Sequence, residues 1–180
     1  MNSRNELAVV VGATGAFGKQ IVARLCANGL DVVAVARSSA AIDELSRIHP
    51  GVIPCVADIS ADESIAHIRN VLDRPVRMIV HGPGVAVVGG VLDAPTSALT
   101  DAVNIKVGGL LRLTRAVDAS LVKGSRLVAI GGHYGFEPTA YAASAGVANA
   151  ALANAIRQLS LAYGSDRKST RLNSSHRLYL

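Results

Sequence analysis

The 180-residue sequence predicts an α/β fold, a doubly wound parallel sheet in a three-layer α/β/α arrangement. Half of the residues are hydrophobic but only 3% are aromatic, so a core must be assembled from Ala, Val, Leu and Ile. Five short, nearly continuously apolar runs recur along the chain, as strands covered on both faces require. Segments of helical spacing separate them, and right-handed crossovers then give the strand order 3-2-1-4-5.

The first run, "LAVVVGA" (7–13), ends in glycine and is followed by "FGKQIVARLCANG" (17–29), a helix with its stop at Gly29. "DVVAVAR" (31–37), "GVIPCVA" (51–57), "VRMIVHG" (76–82) and "RLVAIGG" (126–132) repeat the strand pattern. Between them, "SAAIDELSRIH" and "ADESIAHIRNVLD" read as helices, and so does the long stretch at 96–123. The alanine-rich segment 139–164 reads as a last helix, with small residues on several faces that suit close packing. Nothing suggests internal repeats, and residues 1–166 form one expected domain.

The net charge of +5 does not mark a nucleic-acid-binding face. Residues 167–180 hold four of the 18 basic residues and none of the 13 acids, which leaves +1 for the remainder. That terminal stretch loses the apolar periodicity and resembles translated sequencing-adapter read-through, so it is expected to be a disordered or foreign tail after a truncated fold. Cys26 and Cys55 stand apart, without metal-ligand spacing, and no metal site is expected. The polar start is unlike a secretory signal, and no apolar run reaches the roughly 18 residues of a membrane span. The expectation is a cytoplasmic protein acting on a small molecule, without nucleic-acid or membrane partners.

"VVVGATGAFGKQ" (9–20) is the first stretch with chemistry. Gly12, Gly15 and Gly18 fall where the first strand turns into a helix, where backbone approaches a ligand closely and free N–H groups favour phosphate. Thr14, Ala16 and Phe17 complete this turn. In the first βα unit such a turn reads as the pyrophosphate site of a Rossmann-like, dinucleotide-binding domain. Nineteen residues after Gly18 stands Arg37, followed by Ser38. An acid there would hold the ribose hydroxyl of NAD, whereas an arginine accommodates the 2′-phosphate, so NADP(H) is preferred and NAD(H) is the alternative. Asp58 could accept from the adenine amino group or cap a helix beginning near Ser60.

"GATGAFG", the "AR" after the second strand, "ADIS" (57–60), "VHGPGVAVVGG" (80–90), "NIKVGGLLRLTRA" (104–116) and "YAASA" (141–145) resemble, in order and spacing, the short-chain dehydrogenase/reductases over about residues 7–164. The resemblance implies an NAD(P)-dependent oxidoreductase acting on a carbonyl or alcohol. Asp58, Ile59, Gly82, Pro83 and Gly84 would line the cofactor site. Asn104 would take the place of the active-site asparagine, although an interhelical polar contact suits it equally. Tyr141 would take the place of the catalytic tyrosine, and an oligomer through the helices at 96–123 and 139–164 would follow.

The sequence departs from that pattern at several points. Its glycines are spaced GxxGxxG, His81 stands for an asparagine, and Gly131 and Gly132 stand for a pair of serines. Ala145 stands for the lysine that assists the tyrosine, and the segment from Gly132 to Tyr141 is short. His133, Tyr134 and Ser144 are the polar groups nearby in sequence. The alternative is a protein that binds NADP without catalysis.

Overall fold

The computed structural model describes residues 6–164, so the expectation for residues 167–180 lies outside the described residues. Five parallel strands form one sheet in the order β3-β2-β1-β4-β5. They are β1 (Leu7–Val11), β2 (Asp31–Ala36), β3 (Val52–Val56), β4 (Val76–His81) and β5 (Leu121–Ala129). This is the doubly wound arrangement expected, with its switch point between β1 and β4.

All five residues of β1 are buried, as are Val32–Val35 of β2, which is why these segments carry no alternation of polar side chains. Pro54 is tolerated because β3 lies at an edge of the sheet.

The two faces hold separate cores. Val9, Val11, Ile79, Leu127 and Ala129 meet Leu110 and Leu113 and also Leu152 and Ile156 on one side, while Ala8, Val10, Val32 and Ala34 meet Val22 and Leu45 on the other. The helices are α1 (Ala16–Ala27), α2 (Ser39–Ile48), α3 (Ser64–Asn70), α4 (Thr96–Val103), α5 (Gly109–Val117) and α6 (Ala143–Gly164).

The expected helix over 96–123 is not one helix. α4 and α5 are joined by a π-helical turn, Asn104–Gly108, and a short 3₁₀ turn, Asp118–Ser120, ends the segment. β5 begins at Leu121 rather than Arg126, because Leu121 pairs with Val76 before the strand bulges. Gly124 supports that bulge with φ +88°, and Ser125 Oγ donates to Val76 O at 2.7 Å. The last helix starts at Ala143, four residues later than expected, after a turn that carries Tyr141.

Candidate active site

The loops that follow the strands converge at the carboxyl edge of the sheet. Gly12 N donates to Val35 O at 3.0 Å, Gly82 N to Val11 O at 3.0 Å, Ala57 N to Ala36 O at 3.0 Å and Ile130 N to His81 O at 2.9 Å. Each loop is thus launched from the strand beside it. The turns carrying Gly12–Gly18, Arg37, Asp58 and Gly82–Gly84 therefore lie at one edge of the sheet.

The glycine turn is built for close backbone approach. Gly12 has φ +80°, and a β-carbon there would lie 2.9 Å from Gly82 O. A β-carbon on Gly18 would overlap the carbonyl oxygen of Gly12. Gly15 is the N-cap of α1 and offers no side-chain acceptor, and the first helical turn, from Ala16 through Phe17 to Gly18, holds no acid. Its amides are left to an external anion. Phe17 is 59% exposed, Thr14 is half-buried, and Gly84 faces open space beside Pro83. These features fit a dinucleotide: a tight cradle, open helix amides and no competing carboxylate.

Arg37 is exposed and its charge reaches Asp58. Ser38 is the N-cap of α2, accepting from Ala41 N at 3.3 Å. Asp58 accepts from Ser60 N at 2.9 Å and from Ser60 Oγ at 2.7 Å, and these bonds hold its carboxyl below the usual carboxylate range, with Arg37 and Arg112 adding to the effect. Because α3 starts only at Ser64, Asp58 caps a local turn rather than that helix. Ile59 is buried, and the absence of a side chain on Gly109 makes room for it.

Asn104 opens the π-helical turn. Its Nδ2 donates to Ser60 O at 2.9 Å and its Oδ1 accepts from Arg112 Nη1 at 2.9 Å, so it ties α5 to the β3–α3 loop. Both ends of its amide are engaged there.

Lys106, in the same turn, is buried, with Nζ donating to Ile130 O at 2.9 Å. Its carbonyl oxygen accepts from Nε2 of the fully buried His81 at 3.0 Å. With the Ile130–His81 backbone bond, these contacts close a ring that clamps the π turn onto the ends of β4 and β5. Burial pulls the Lys106 ammonium down to about 8 and, with the Lys106 charge adding, holds His81 neutral at about 3.

Tyr141 is 58% exposed, and its hydroxyl lies 3.0 Å from that of Tyr134, the two rings meeting edge to face. Ala145 is buried on α6, and Ser144 is taken by structure, donating to Ala86 O at 2.9 Å and accepting from Val88 N at 3.0 Å. Two residues that sequence reasoning missed are the buried Lys106 and Asn149, which faces Gly131 and Gly132. A shallow depression lined by Leu111, Thr114, Arg115, Asp118, Leu159 and Tyr163 lies on the α5–α6 side and holds none of the candidate residues.

A five-stranded parallel sheet of this order with a glycine turn at its switch point defines a Rossmann-like, doubly wound α/β protein. The family model for the short chain dehydrogenases matches residues 6–170, and the chain belongs to that family, whose members are oxidoreductases that bind NAD or NADP. It is 32% identical to human dehydrogenase/reductase SDR family member 11 and 29% identical to mouse L-xylulose reductase, over 66% and 64% of this chain. The matches cover 49% and 47% of those proteins, so the chain spans about half the length of the curated relatives it matches. An NADPH-bound short chain oxidoreductase of Pseudomonas aeruginosa PAO1 with an atypical catalytic centre shares the fold at a TM-score of 0.84 and 19% identity, over 96% of this chain and 71% of that one.

Proposed function

We propose that this chain carries the cofactor-binding and proton-donating parts of an NADP(H)-dependent oxidoreductase that interconverts a carbonyl and an alcohol on a small molecule. The observation that carries the reading is the cradle made by Gly12, Gly18 and the open α1 amides at the edge that also presents Tyr141. Arg37, exposed after β2 beside Asp58, supports NADP(H) over NAD(H).

In this reading the amides at the start of α1 bind pyrophosphate, Arg37 takes the 2′-phosphate and the Gly82–Gly84 loop lies along the cofactor. Bound nicotinamide would supply the hydride. Tyr141 gives its hydroxyl proton to the substrate oxygen, the general-acid half of the reaction. Asn104 serves by holding the π turn, and with it Lys106, against the sheet edge.

The alternative, a protein that binds NADP without turning over a carbonyl, draws support from Gly131, Gly132 and the buried Ala145, where the resemblance puts serines and a lysine. Titration of NADPH and NADH separates these readings when combined with NADPH oxidation on small ketones and aldehydes. The expected result is tighter NADPH binding that Arg37→Ala abolishes, and turnover that Tyr141→Phe abolishes. Equal affinities would remove Arg37 from the account, and binding without turnover would favour the alternative.

A further inference from the structure

The feature of the site that the reading above leaves unused is the hydroxyl pair. Tyr134 OH and Tyr141 OH are 3.0 Å apart, a direct hydrogen bond between two phenols. The ring of Tyr134 is fixed from two sides. Its edge-to-face contact with Tyr141 has centroids 5.8 Å apart, and the ring of His133 lies 4.0 Å away.

The backbone beneath it is equally constrained. Tyr134 belongs to a 3₁₀ turn, His133–Gly135, pressed onto α6, where a β-carbon on Gly135 would lie 2.8 Å from Ala150 N and one on Gly146 would lie 3.1 Å from Tyr134 O. Two glycines thus bring this turn close enough to α6 for the two hydroxyls to meet.

We propose, resting on the oxidoreductase reading, that Tyr134 is the proton partner of Tyr141, donating a hydrogen bond to its oxygen and returning a proton to it after each reduction. As the substrate carbon gains hydride, the O–H bond of Tyr141 breaks and its proton forms the O–H bond of the alcohol. The phenolate left on Tyr141 accepts the hydrogen bond from Tyr134. The Tyr134 proton then crosses to Tyr141, and solvent water reprotonates Tyr134, since the pair is open to solvent. In the direction of alcohol oxidation the same protons move in reverse.

The hydrogen bond to Tyr141 raises Tyr134 above the ordinary phenol range, so Tyr134 is protonated in the resting pair and gives up its proton only once an anion forms on Tyr141. Two phenols in contact cannot both ionise easily, so the first anion formed is sheltered by the neighbour that stays protonated. No cation stands at position 145 to share this work, since Ala145 is buried and apolar.

The test uses the 180-residue chain labelled with ¹³Cζ-tyrosine, together with its Tyr134→Phe and Tyr141→Phe variants. An NMR titration of the ligand-free protein reads the pair without reference to activity. Tyr141→Phe, which removes the bonded hydroxyl, is expected to move the Tyr134 midpoint to lower pH. In steady-state reduction of small ketones by NADPH, Tyr134→Phe is expected to lower kcat about tenfold, with KM changed less than about twofold, and to displace the pH profile of kcat. A Tyr134 midpoint unmoved by Tyr141→Phe would overturn the relay alone, as would a Tyr134→Phe variant with the wild-type kcat and pH profile. A wild type that binds NADPH and turns over no carbonyl overturns the oxidoreductase reading and takes the relay with it, and it is recognised by an intact coupling in the titration.

Discussion

The side-chain amide of Asn149 occupies the space that a side chain at Gly132 would need. A β-carbon on Gly132 would lie 3.1 Å from Asn149 Nδ2, and one on Gly131 would lie 3.7 Å from Asn149 Oδ1. Asn149 is 5% exposed, and its Oδ1 has no hydrogen-bond partner among the described residues. The glycines after β5 and the asparagine on α6 are therefore matched in size, and the missing serines are not a simple deletion.

It follows that Gly132→Ser alone should be crowded rather than restorative. A destabilisation of about 1–3 kcal/mol is expected from overpacking a buried neighbour. The double variant with Asn149→Ala should recover most of it, because the two changes act on one space and are not additive. Urea midpoints for the two singles and the double measure this. A single Gly132→Ser protein as stable as wild type would mean that Asn149 swings aside freely.

His81 gives the fold an acid sensitivity. It is fully buried, and since Lys106 O can only accept, Nε2 carries the ring proton and Nδ1 is an acceptor with no partner among the described residues. Burial holds the folded-state value at about 3, so below about 6.5 the unfolded chain takes up a proton that the folded chain refuses. Stability should therefore fall as pH drops through this window, by up to ~2 kcal/mol at pH 5. His81→Asn should flatten the dependence between pH 7 and pH 5, whatever it does to absolute stability. An unchanged slope in that variant would assign the acid sensitivity to other groups.

Lys106 acts at the other end of the pH scale. Its folded-state value is pulled down by burial to about 8 from an ordinary 10.5, so the cost of burying the charge is fully present below pH 8. Between about pH 8 and 10.5 the unfolded chain keeps a proton that the folded chain releases, and this contribution to stability rises with pH. Lys106→Met should lose that rise. Comparing the pH dependence of unfolding from pH 7.5 to 9.5 tests it, and parallel curves for the two proteins would show that Lys106 does not titrate there.

These two residues also mark where the pattern of the sequence stops being informative. Runs such as "LAVVV" and "DVVAV" are apolar because both faces of β1 and β2 are covered, so strands, order and glycine turn were legible from residue type and spacing alone. The π-helical turn was not, because an extra residue in a helical turn leaves the apolar rows on either side intact. Nothing in the residue pattern singles out Lys106 for the same reason, and only the turn's geometry brings its Nζ to Ile130 O. The start of β5 was hidden because "LVKGS" owes its strand geometry to Val76 and to the Ser125 hydroxyl rather than to its own polarity. Tyr134 and Tyr141 could be named as polar groups near one site, but their contact depends on how tightly Gly135 and Gly146 let the intervening turn close.

If Tyr134 does the work that a cation at 145 would otherwise do, the two should be partly interchangeable. Ala145 is 4% exposed, one helical turn before Asn149 on the same side of α6, so a lysine there must displace packed neighbours while its ammonium seeks the open edge near Tyr141. Ala145→Lys is therefore expected to lose about 1–3 kcal/mol of stability, as overpacked sites do. It should nevertheless raise kcat for ketone reduction, because a nearby positive charge favours the anion left on Tyr141 when its proton departs. In that background Tyr134→Phe should cost clearly less than the roughly tenfold expected in the wild-type background, since the anion then has a second source of support. The measurement is a double-mutant cycle on kcat, with NADPH affinity followed in parallel to confirm that the cradle at Gly12–Gly18 is undisturbed. A Tyr134→Phe penalty of the same size in both backgrounds would mean that the lysine and the second phenol act on different steps, and the idea that one stands in for the other would fail.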